Sequence, residues 1–346
     1  MITAEVVCGC EVDGRFGDAH ARRFADKTVA SAFRSAAGVG QAWSMTTRPR
    51  RTPDPAQTSE PRPSSATARV ERARETGGEP GLEYEEGTPY ELYVGARTLH
   101  GMLRTVTDHP AEPAFLVISQ VMELYFGLLR QEWTTARAQL RGDDLDGALS
   151  SLRRTVFHLE ALNATWASLV WLTPREFNGF RDQLGEASGF QSYGYRHVEF
   201  ALGLKTASVV RPHKAMAAVH ADLLEGLAAP SVYDEVVALL ARRGFDIPDE
   251  VLAADHSQEY VVSPAVEQAW AQVYREPRAS DPLFMLAEVL TDIADEFTTW
   301  RHRHVMAVRR SMGAKPGSGG SSGLAWLERS LAKPVFPELW SARTLI

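Results

Sequence analysis

His304 is the side chain whose position promises the most chemistry. It belongs to the series Leu286, Leu290, Ile293, Phe297, Trp300, His304 and Val308, which recurs in steps of three and four. That spacing places side chains on one buried face of a helix. His302 falls about 200° around the same helix, at roughly 100° per residue, on the polar side with Arg303 and Arg309. An imidazole on a buried face needs a partner for each ring nitrogen. A backbone carbonyl or carboxylate in the core meets that need, and so does axial ligation of an iron or another metal. There is no Cys-x-x-Cys-His, so a haem would be held non-covalently. No His-x-x-x-His pair shares the face, which argues against zinc.

Three other groupings carry possible chemistry. Phe177 and Arg181 are four apart and share a face. Such an arginine is either a solvated charge or a bidentate clamp for a carboxylate, with the phenylalanine as an apolar wall. Phe115, Ser119 and Glu123 share a face by the same spacing. A serine inside Phe-Leu-Val-Ile-Ser-Gln bonds its own helix backbone or gives a pocket one hydrogen bond; it is no general base near neutral pH. The run Gly317-Ser318-Gly319-Gly320-Ser321-Ser322-Gly323 reads as a flexible linker or as a loop that closes over a polar small molecule. No Gly-Lys-Ser/Thr follows it, so it is not a P-loop. Neither a Ser/His/Asp order nor a Cys/His pair stands out for nucleophilic catalysis.

The elements that must position these residues are helical. The spacing predicts one helix from about 113 to 140, with Phe115, Ile118, Met122, Tyr125, Leu129 and Trp133, and another from about 145 to 170, with Leu149, Leu152, Val156, Leu159 and Leu162. Thr173-Pro174-Arg175-Glu176 is a capping box that opens a third. Further helices are expected near 193–204, 213–228 and 232–243, then from Ser263-Pro264. Asp281-Pro282 opens the longest, which runs to about Met312 and is stopped by Gly313 and Pro316. Strand alternation is scarce, and neither an internal repeat nor a heptad seam is present. The fold class is all-α, a helical bundle, over residues 84–346. Residues 1–83 read as an N-terminal extension: the first 44 have little sustained period, and 46–83 are rich in Pro, Arg, Ser and Thr, which reads as disordered tail or linker. Met45 is an alternative start.

Composition narrows the function class. The 346 residues carry 37 Lys+Arg against 44 Asp+Glu, a net charge of −7. That balance disfavours a nucleic-acid binder. Cys8 and Cys10 cannot build a disulfide framework, which suits a reduced, cytoplasmic chain. No apolar run approaches the roughly 20 residues of a membrane helix, and the N-terminus, with Glu5, Glu11 and Asp13, lacks the apolar core of a signal peptide.

Taken in order, these pieces resemble tryptophan 2,3-dioxygenase and its haem-dependent superfamily over about residues 90–346. The resemblance rests on Tyr90-Glu-Leu-Tyr93; on Phe115 through Ser119-Gln120 to Glu123-Leu124; on Leu172-Thr173-Pro174 through Phe177 to Phe180-Arg181-Asp182; on Ala187-Ser188-Gly189-Phe190-Gln191-Ser192 with Tyr195-Arg196; and on Trp300-Arg301 through His304 to Lys315-Pro316-Gly317 and Gly323. It implies a haem-dependent oxygenase in which His304 is the axial ligand of a non-covalent haem b. Arg181 would bind the substrate carboxylate, and Phe115 and Phe177 would wall the indole. Ser318 stands where the family has a threonine whose hydroxyl contacts the amino-acid end. Tyr90 and Tyr93 would enter the pocket from a neighbouring subunit of a cytoplasmic homotetramer. The expected partners are L-tryptophan or a tryptophan derivative and O2, with no nucleic acid and no membrane.

The departures shape the expectation. Ser119, the candidate catalytic-side residue above the haem, replaces the family's histidine that hydrogen-bonds the indole N–H. Tyr125 stands where the family usually has Trp. Indoleamine 2,3-dioxygenases are similar in having a serine on that side, so dioxygenation to N-formylkynurenine is the first expectation. The alternative is insertion of one oxygen to give a 2-oxindole from a derivative such as β-methyltryptophan, for which a smaller residue leaves room. A non-catalytic haem sensor is the third, disfavoured by the presence of Arg181, Phe177 and the Gly/Ser loop.

Overall fold

In the computed structural model, which describes residues 64–84, 87–275 and 281–346, every regular element is helical. The chain runs through α1 (Ala66–Glu75), α2 (Pro89–Val94), α3 (Ala96–Gly101), α4 (Glu112–Arg141), α5 (Leu145–Thr165), α6 (Pro174–Arg181) and α7 (Tyr193–Ala201). It continues through α8 (Ala217–Ala228), α9 (Val232–Arg242), α10 (Asp249–Leu252), α11 (Pro264–Arg275), α12 (Pro282–Ser311), α13 (Leu324–Leu331) and α14 (Pro337–Ser341). The expected all-α bundle is the observed fold, and the caps explain most boundaries. The side chains of Asp144, Ser192 and Asp281 accept from the first-turn amides of α5, α7 and α12. Thr173–Glu176 and Ser231–Asp234 close reciprocal capping boxes on α6 and α9. Each such cap contributes about 1 kcal/mol.

The frame is α5 laid against both α4 and α12. Leu129, Trp133, Ala136 and Leu140 of α4 meet Leu149, Leu152 and Leu159 of α5 and Leu286, Leu290 and Ile293 of α12 in one fully buried core. Burying a side chain of that size stabilises by roughly 1.5–3 kcal/mol. Trp133 Nε1 donates to Thr155 Oγ1 at 3.3 Å, so its one polar atom is satisfied. A second, polar knot ties the C-terminus down. Glu338, fully buried, accepts from Tyr233 Oη at 3.0 Å, Tyr260 Oη at 2.9 Å and the Ser263 amide at 2.8 Å.

Three sequence expectations need correction. The stretch 46–83 was expected to lack structure, but its described part holds α1, capped by Ser65. No residue of α1 is buried, so its Ala, Arg and Glu residues form it by propensity and capping rather than packing. Residues 1–63 lie outside the described residues. No membrane-length apolar run was expected either. Among the described residues α4 is the one helix long and apolar enough to cross a membrane, with mean hydropathy 1.3. Its apolarity serves two protein faces: one enters the core, and the N-terminal half lines a cavity. Finally, of the two readings of the 317–323 segment, flexible linker or closing loop, the flexible linker is the one set aside: the segment is an internally bonded tight turn. Gly317 N–H donates to Ser321 O at 3.1 Å and Gly320 N–H to Gly317 O at 3.0 Å. Gly323 has φ +60°, and a Cβ there would stand 2.5 Å from Lys315 O. Gly323→Ala is therefore expected to lower unfolding stability by about 1–3 kcal/mol, read as a lower urea midpoint at unchanged m-value; an unchanged midpoint would show that the turn relaxes freely.

Candidate functional site

A cavity of about 1270 Å³ opens between the N-terminal half of α4, α7, the second half of α12 and the 317–323 turn. This exceeds the roughly 300–1,000 Å³ usual for a single small ligand. Phe115, Ser119, Phe177, His304 and Ser318 all line it. Five of the residues singled out in the sequence, from four separate elements, thus converge on one space.

His304 is half-buried on α12, while His302 on the opposite side is exposed. The His304 ring stacks on Trp166 at 5.2 Å and 21° and packs against Trp300 at 5.6 Å. Burial without a neighbouring counter-charge pushes its imidazole down to about 4. Near neutral pH the ring is uncharged, the form that offers a nitrogen lone pair to a metal. Among the described residues no hydrogen bond engages either ring nitrogen, so the core-histidine reading finds no partner group.

The walls around it carry further unspent donors. Trp166 Nε1, Trp300 Nε1, Arg196 Nε and Arg301 Nε are buried without partners, and all four residues line the cavity. Buried donors in folded proteins are seldom left so. The two guanidinium groups are otherwise held in place. Arg301 donates to Ser330 O and Lys333 O, each at 2.7 Å, and Arg196 pairs with Glu199. Orphaned donors, a neutral imidazole and a large apolar space together fit a flat, acceptor-bearing group such as a haem.

The amino-acid end is built from α6 and the turn. The capping box that starts α6 fixes the direction of Phe177, which is buried and packs on Phe115 at 5.6 Å. The Arg181 guanidinium lies 6.0 Å from the Phe177 ring centroid and donates to Pro316 O, immediately before the turn. It stands at the rim rather than among the cavity-lining residues. Ser119 Oγ donates to Phe115 O at 2.9 Å, the backbone-bonding alternative read from the sequence, which leaves only its lone pairs to face the cavity. Tyr90 and Tyr93 are exposed on α2 at 69% and 80% and do not reach the cavity of their own chain. Sequence reasoning missed Trp166. The signal was present: Leu159, Leu162 and Trp166 continue the α5 stripe in steps of three and four.

The fold and site therefore define an all-helical protein with a ligand-seeking histidine facing a large aromatic-walled cavity. A profile of the family described as tryptophan 2,3-dioxygenase matches residues 76–228 and 224–346. A tryptophan 2,3-dioxygenase of Burkholderia mallei (strain SAVP1) is 45% identical over 265 residues, covering 77% of this chain and 87% of the relative. One from Burkholderia pseudomallei (strain 1106a) is 42% identical with the same coverage, and one from Polaromonas sp. (strain JS666) is 39% identical over 263 residues, 76% of this chain and 90% of its own length. The chain belongs to the tryptophan 2,3-dioxygenase family.

Proposed function

We propose that this chain is a haem-dependent oxidoreductase that uses O2 to oxidise the indole C2=C3 bond of L-tryptophan, giving N-formylkynurenine. The observation that carries the reading is His304: neutral, unengaged by hydrogen bonds among the described residues, and facing a cavity of about 1270 Å³. Haem b, when bound, supplies the activation of O2. His304 holds its iron, and the Trp166 and Trp300 rings fix the orientation of that imidazole. The protein's own contribution is placement. Arg181 takes the substrate carboxylate, with the Ser318 hydroxyl beside it. Phe115 and Phe177 hold the indole plane and exclude water. The Ser119 proton is already given to Phe115 O, so Ser119 acts through its lone pairs and its small size rather than as a proton donor. The chain works in the cytoplasm as a homotetramer, in which Tyr90 and Tyr93, exposed on their own subunit, complete a neighbour's pocket.

Mass spectrometry of product formed under ¹⁸O2 tests the reaction. Both heavy oxygens are expected in a ring-opened product. A single heavy oxygen in a product with the ring intact would overturn dioxygenation.

A further inference from the structure

α2 and α3 meet at a corner that holds itself together. No residue of either helix is buried, so packing on the bundle does little to fix the angle between them. Thr88 Oγ1 accepts the Glu91 amide at 3.2 Å and starts α2, with Pro89 at its first position. Gly95 ends α2 in the left-handed region, at φ +66°, with its amide on Glu91 O at 2.8 Å. The same glycine is the N-cap of α3, and it has no side chain to accept a first-turn amide. Glu91 does so from the neighbouring helix. The Arg97 amide donates to both Glu91 carboxylate oxygens, at 3.0 and 3.2 Å, and Arg97 Nε donates to Oε1 at 3.2 Å. The Arg97 side chain is 83% exposed, so the ion pair adds little. The bonds to the amide are what close the corner.

What the corner presents is aromatic. Tyr90, Tyr93 and Val94 fall within about 100° of arc round α2, at roughly 100° per residue, and all three are exposed. Glu91 falls outside that arc and is turned to α3. The chain that carries α2 reaches the rim of the cavity: Leu99, Met102, Leu103 and Val106 line it and are themselves exposed. α2 contributes no lining residue. An aromatic face held beside a cavity but turned out of it suits a second copy of the chain. A two-fold contact between two such rims places each α2 at the other copy's cavity.

We infer that Glu91 is a positioning residue, which fixes the α2–α3 corner so that Tyr90 and Tyr93 are preset for the pocket of a neighbouring copy. The inference rests on the proposed completion of that pocket by these tyrosines. A segment ordered beforehand has less conformational freedom to lose when it docks. With the corner open, the competent arrangement is less populated, and apparent affinity for substrate falls by that fraction.

The test is the dissociation constant for L-tryptophan, from absorbance titrations of the haem-loaded protein. Loss of a helix cap shifts a local equilibrium by about threefold to tenfold. Glu91→Ala is expected to weaken binding by that factor, with the far-UV circular dichroism of the wild type, since neither helix is buried. Glu91→Gln keeps an oxygen for the Arg97 amide, and Arg97→Ala keeps the amide itself. Each is expected to stay within about twofold of the wild type. Made in a Tyr90→Ala/Tyr93→Ala background, Glu91→Ala is expected to add nothing, because a residue that acts through the tyrosines has nothing left to position. An equal loss in both backgrounds would give Glu91 a role independent of the tyrosines and overturn the inference. So would a loss in Arg97→Ala as large as that in Glu91→Ala. If Tyr90→Ala/Tyr93→Ala binds L-tryptophan as the wild type does, the tyrosines complete no pocket and both readings fall. If that variant is weakened and Glu91→Ala is not, only the Glu91 assignment falls.

Discussion

His304→Ala is expected to abolish the Soret band of the purified protein and to cut oxygenase activity by more than about a hundredfold, since even loss of groups that merely orient a metal ligand costs 10–100-fold. The argument is local. His304 makes no hydrogen bond to another described residue, and its contacts are the faces of Trp166 and Trp300. Its removal should therefore leave the α12 packing at Leu286, Leu290 and Ile293 untouched. Far-UV circular dichroism of the variant is expected to match the wild type, which separates loss of ligation from loss of fold. Retention of a normal Soret band in this variant would refute the assignment of His304 as the iron ligand.

Arg181→Ala is expected to raise the dissociation constant for L-tryptophan by about 10–100-fold, the worth of a hydrogen bond to a charged group. Tryptamine, which has the ring and the amine but no carboxylate, supplies the control. It should bind wild type and variant alike. In the folded chain the guanidinium is held by Pro316 O and lies by the Phe177 ring, which itself lines the cavity. Equal weakening of both compounds would show that Arg181 shapes the rim and does not grip the carboxylate. Arg181→Lys is not a neutral change, because an ammonium cannot make the paired bonds of the fork.

How much of this was legible in the sequence differs by residue. The α12 stripe put His304 on the inner face and His302 outside by spacing alone, and Thr173 and Glu176 announced the start of α6. Those signals are local, so a sequence carries them. The short helices α2, α3, α10, α13 and α14 were not legible: four to eight residues do not complete enough turns to show a period. The half-buried state of Phe115 and Ile118 was hidden for a different reason. They sit on the apolar stripe of α4, yet the cavity rather than a neighbouring helix covers part of that stripe. The burial of Arg301 was also out of reach, because its guanidinium is held by the Ser330 and Lys333 carbonyls, 29 and 32 residues further along the chain. The approach of Glu123 to Gly194 is likewise a contact between residues 71 apart.

α12 has two duties on one rod. Its first half is core, and its second half carries Trp300 and His304 into the cavity. Occupancy of the cavity is thereby linked to the folding equilibrium of the chain. A prosthetic group that binds only the assembled cavity adds about 2.7 kcal/mol of stability at a hundred times its dissociation constant, by mass action. Protein expressed under iron starvation should accordingly melt at a lower temperature, in proportion to the fraction left unloaded.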